Sequence, residues 1–171
     1  MEWEECAECG FVYDLGDAAS AARSARELAA EVAWLLRADG PDLRTRPRQG
    51  VWSPLEYGCH LRDVFLVQRE RLLAARRAGW DGGRLELAPM GRQERVENDG
   101  YASQDPQDVA RQLCDAALLF GGVLDRLDAG DWAREVVYPF PEPAPRSLAW
   151  VALHTVHEAQ HHLMDIRRQL G

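Results

Sequence analysis

The chain has no apolar run approaching the roughly 20 residues that a membrane span requires, so a spanning helix is not expected. Positive charge is in deficit, with 20 Lys and Arg against 28 Asp and Glu, a net charge of −8 and a pI of about 5.1. That balance argues against nonspecific nucleic-acid binding, which depends on cations neutralising phosphates. The opening Met-Glu-Trp-Glu-Glu-Cys is acidic and polar, unlike a signal peptide. Together these features predict a cytoplasmic protein with no membrane and no nucleic acid among its partners. Cysteine is scarce as well, with four at positions 6, 9, 59 and 114. In a reducing compartment they are thiols or metal ligands rather than disulfides. There is no internal repeat and no low-complexity segment.

The 171 residues, 46% of them hydrophobic, suffice for one domain with a sizeable core. The expected division is an N-terminal Cys-x-x-Cys segment over 1–16 and a helical bundle over 17–171. Cys6 and Cys9 form half of a zinc-ribbon pattern, and a structural zinc wants four ligands. Three readings stand: two reduced thiols in a tail, a dithiol that oxidises or joins a metal in trans, or a knuckle completed by distant ligands. The acidic neighbours Glu4, Glu5 and Glu8 should raise the thiol pKa values.

Four helices are expected. The first runs from an Asp17 cap to Ala38 and stops at Asp39-Gly40-Pro41. A basic loop from Arg44 to Arg48 follows. The second opens on Ser53-Pro54-x-Glu56, a capping box with proline at the first helical position, and runs to about Arg77, before Gly79. Residues 79–104 form a long crossover with little regular pattern, in which Arg92, Arg95 and Tyr101 are candidates for binding a substrate anion. The third starts at Asp105-Pro106 and runs to about Leu127, with Cys114 filling core. An irregular connection with a short extended piece, Glu135 to Tyr138, ends in a proline-rich run that cannot be helical. The last helix is capped by Ser147 and has Arg167 and Arg168 in its final turn, where they suit the helix dipole.

Four of the five histidines lie in that last helix, at 154, 157, 161 and 162, and the fifth is His60 in the second. Positions 154, 157 and 161 share one helix face. Four-helix bundles build metal sites from facing helices. His60 with the His157-x3-His161 pair gives three neutral nitrogens and an open fourth position, the catalytic arrangement for zinc, which nickel would also accept. His154 is a further ligand, a group supporting one, or core. Glu158 is a carboxylate placed to orient an imidazole.

The chain resembles the DinB-like (YfiT-like) family of four-helix metal proteins. The resemblance rests on Trp52-Ser-Pro-Leu-Glu-Tyr-Gly-Cys-His60-Leu and on His157-Glu-Ala-Gln-His161-His162, and extends over nearly the whole chain beyond residue 17. It is strongest to an actinobacterial-looking branch that begins with Cys-x-x-Cys-Gly-Phe and carries Met-Gly-Arg in the crossover. It implies an all-α four-helix bundle, the metal ligands His60, His157 and His161, and an activity. Some members transfer a low-molecular-weight thiol such as mycothiol or bacillithiol to an electrophile, and related members isomerise maleylpyruvate. Where the family often has Arg after the second motif histidine, this chain has His162. The expected function is metal-dependent transfer of a thiol to a small electrophile. The alternatives are a hydrolase on the same site and a non-catalytic binder of a small molecule or metal. The expected cofactor is zinc or nickel with a thiol co-substrate, and since bundles of this kind often dimerise, a homodimer is among the expectations.

Overall fold

Ser53 shows how sharply the sequence starts its helices. Its hydroxyl accepts from the Glu56 amide at 3.2 Å, and the Glu56 carboxylate accepts from the Ser53 amide at 2.8 Å. Two amides that the first turn leaves without partners are thereby satisfied. Asp105 accepts from the amides of Gln107 and Asp108, and Ser147 from that of Trp150. The computed structural model describes residues 5–38, 42–78 and 84–171.

Among the described residues six α-helices follow in order: α1 (Ala21–Leu36), α2 (Pro54–Ala78), α3 (Arg92–Asn98), α4 (Pro106–Leu124), α5 (Ala129–Ala133) and α6 (Leu148–Leu170). The four long ones form the bundle. α4 packs against α1 and α2, and α6 packs against the same two, so the order around the ring is α1, α4, α2, α6. The core runs through Leu36, Leu55, Leu61, Phe65, Leu113, Phe120 and Ile166, all essentially sealed from solvent.

The structure adds pieces that periodicity did not reveal. A 3-10 helix over Leu15–Ser20, capped by Asp14, precedes α1, so Asp17 lies inside a helical turn rather than capping one. The stop at Asp39-Gly40-Pro41 and the Gly79 boundary lie outside the described residues. Within the long crossover, α3 starts and ends at glycines with left-handed backbone, Gly91 and Gly100. Its single buried side chain, Val96, leaves no repeat to read. Three short strands, β1 (Leu85–Glu86), β2 (Glu135–Tyr138) and β3 (Ala144–Ser147), form a small sheet in that order, β1 parallel and β3 antiparallel to β2. The sheet ties the crossover to the start of α6, beside the mouth of the site.

Candidate metal centres

One residue along an α-helix is a rotation of about 100°. The pairs 157/161 and 158/162 are therefore two parallel rows on α6. Val156, Ala159, Leu163 and Ile166 turn into the core, and the two rows flank them. The 157/161 row faces the N-terminal segment and the 158/162 row faces α2. His60 accordingly meets Glu158 and His162, whereas His157 and His161 meet Cys6 and Cys9. The structure does not bring His60, His157 and His161 together as one cluster. The off-by-one choice depends on helix rotation, which only packing decides.

In the first cluster His60 Nε2 lies 3.5 Å from Glu158 Oε2, and His162 Nε2 lies 3.7 Å from the same oxygen. Both His60 nitrogens are buried and, among the described residues, without a hydrogen-bond partner, so the imidazole is held by packing, with the Trp52 ring centroid 4.9 Å away. Burial lowers the His60 pKa, with help from the neighbouring His162 and Arg92, and keeps it neutral. His162 has the opposite balance. Burial works against its charge, but hydrogen bonds to Asp165 and Glu158 outweigh that and push its pKa to about 9. Burial would raise the Glu158 carboxyl, yet its contacts with His162 and His60 hold it well below the usual range. Asp165 Oδ2 sits 3.0 Å from His162 Nδ1. A carboxylate on Nδ1 fixes the tautomer and leaves Nε2 free for a metal, an arrangement common around metal-bound histidines. Asp165 and the donor roles of Glu158 and His162 are legible only as a second i,i+4 row.

This cluster opens into a cavity of about 370 Å³, whose lining includes His60, Glu158, His154, Val64, Met90 and Phe140. Arg71 and Arg92 also line it. Arg92 lies over the Phe140 ring at 5.6 Å. The other crossover candidates lie elsewhere. Tyr101 is fully buried and donates to Asp63 at 2.5 Å, pinning the crossover to α2. Arg95 donates to the Met90 carbonyl and lies 3.5 Å from Asp63.

On the other row, Cys6, Cys9, His157 and His161 each present one donor atom within 4.8 Å of the others. Tyr13 joins the two sides of α6, with its hydroxyl 2.7 Å from His157 Nδ1 and 2.9 Å from His154 Nδ1. His154 stacks on Trp150 at 4.6 Å. No signal in the sequence points to Tyr13.

The sequence signature of the DinB superfamily matches residues 22–166. The chain belongs to the DinB superfamily. The matched span contains His60, Glu158 and His162 and leaves out Cys6, Cys9 and Tyr13. Among solved structures the chain is similar to YfiT from Bacillus subtilis, described as a probable metal-dependent hydrolase with an unusual four-helix bundle topology. The two share 17% identity over 91% of this chain and 89% of YfiT, with a TM-score of 0.72, a likeness of fold. No curated protein matches the chain.

Proposed function

We propose that this chain is a metal-dependent hydrolase that uses His60, Glu158 and His162 to act on a small, largely apolar substrate. The observation that carries the reading is the convergence of three donors, two of which, His60 and Glu158, line the cavity, with both nitrogens of buried His60 unpartnered among the described residues. Two imidazoles and one carboxylate would hold a divalent ion and leave a position open, a donor set found at catalytic zinc. Such an ion supplies Lewis-acid polarisation and makes a coordinated water or thiol easier to deprotonate. The description of YfiT as a probable metal-dependent hydrolase agrees with this reading.

The chain's own residues do the rest. Asp165 orients His162. His154 borders the cavity, and with its Nδ1 accepting from Tyr13 its Nε2–H can donate to a substrate oxygen or leaving group. Arg71 and Arg92 place positive charge at the wall for an anionic substrate group. Val64, Met90 and Phe140 give the rest of the wall an apolar character.

The test is a panel of small esters, lactones and amides, run with and without added low-molecular-weight thiol. Metal-loaded protein should turn over a panel member without thiol, lose that activity on chelation, and lose at least about 100-fold in His60→Ala and Glu158→Ala. Turnover that requires the thiol would replace hydrolysis with thiol transfer on the same residues. Turnover that survives either substitution would remove the site assignment.

A further inference from the structure

We propose that Cys6, Cys9, His157 and His161 form a second, closed metal site that binds one structural zinc ion and fastens the N-terminal segment to α6. This site is separate from the cavity and does not depend on the function proposed above.

The N-terminal side has the shape of a knuckle. Gly10 has a φ of +70°, a conformation that favours glycine, and its amide donates to the Cys6 carbonyl at 2.8 Å. The Cys6 amide donates to the Phe11 carbonyl at 2.8 Å, and Glu5 bridges Val12, closing a small hairpin.

The α6 side supplies the other two donors. Tyr13 has one proton for two imidazole nitrogens, so His154 or His157 must carry its own proton on Nδ1. His157 in that role donates from Nδ1 to the Tyr13 oxygen and presents a bare Nε2. That Nε2 is buried and has no hydrogen-bond partner among the described residues. His161 Nδ1 lies 3.8 Å from Cys6 Sγ. A tetrahedral zinc with Zn–N of about 2.05 Å and Zn–S of about 2.3 Å has an N···S edge of about 3.6 Å. Gln160 donates to the Cys9 carbonyl at 3.1 Å and fixes the knuckle against the helix. Two thiolates neutralise a dication, and an S₂N₂ set with four protein ligands and no open position is a structural zinc site.

The experiment is titration of cobalt(II) into the reduced, metal-free full chain, followed by optical absorption. One equivalent should give a thiolate-to-cobalt charge-transfer band and intense tetrahedral ligand-field bands, both bleached by zinc. The bands should be absent from Cys6→Ser/Cys9→Ser, lost or strongly weakened in His157→Ala, and unchanged in His60→Ala, which removes only the cavity site. His161→Cys keeps four donors and should retain the bands with stronger charge transfer, which separates loss of a ligand from loss of the fold. Absence of charge transfer in the wild-type chain would overturn the proposal. So would bands that persist in His157→Ala.

Discussion

Asp165 touches no cavity wall, yet its oxygen on His162 Nδ1 determines which nitrogen of that ring faces Glu158 and His60. Asp165→Asn should therefore weaken metal at the cavity site by about 10- to 100-fold, measured by competition with a chromophoric chelator. Glu56 is the other carboxylate whose work can be separated. It accepts from the Ser53 amide and pairs with Arg46 at 2.6 Å. Burial raises its pKa, but Arg46 and the Ser53 amide outweigh this and hold it below the ordinary glutamate value. Between that lowered folded value and the unfolded one, the unfolded chain binds more protons, so the stabilisation is complete above about pH 4.5 and is lost as pH falls through the folded value. Glu56→Gln should cost about 1.5–3 kcal/mol in denaturant unfolding at pH 7. The difference from wild type should shrink in acid.

At the scale of elements, two glycines predict opposite outcomes. A Cβ on Gly58 would lie 2.6 Å from Leu36 Cδ1, a core atom with nowhere to go, because α2 and α1 touch at this point. Gly58→Ala should destabilise by about 1–3 kcal/mol. At Gly121 the neighbour is the Arg26 guanidinium, at 2.8 Å, the mobile end of a half-exposed side chain. There Ala should be neutral or stabilising by up to about 1 kcal/mol, since it is the better helix former. Thermal or denaturant midpoints of the pair would decide. The long helices were readable because each joins a cap to a repeat: Ser53-Pro54-x-Glu56, Asp105-Pro106, Ser147. Short α3 and α5 offer too few buried residues for a repeat, and β1 to β3 take their pairing from distant segments. The histidine row is legible in the same way, but its partner is not. Two i,i+4 rows interleave on α6, and nothing local says which one turns towards α2. Tyr13, which links His154 to His157 across some 140 residues of chain, leaves no local trace at all.

For the whole molecule, the second site makes the N-terminal segment conditional. Residues 5–14 meet the bundle through Phe11, which joins the edge of the core, through Tyr13 and the Gln160–Cys9 bond, and through the four donors. Removal of zinc should leave the helical circular dichroism nearly intact and raise amide hydrogen exchange in residues 5–14 and along the 157–161 row of α6. Exchange that rises evenly across the bundle would instead make the ion part of the global fold. The order of the donors along the chain has a further consequence for synthesis. Cys6 and Cys9 leave the ribosome first, and His60 follows, but every remaining donor of both clusters lies on α6, behind all the other elements. While the chain is being made, the knuckle is an unmetallated dithiol and the α2 imidazole is unaccompanied. Neither cluster can load until translation has delivered α6, and then the same helix completes both. Metallation at either cluster therefore reports that α6 has been made and has docked, and a nascent chain stalled before it exposes an oxidisable dithiol with no ion to protect it.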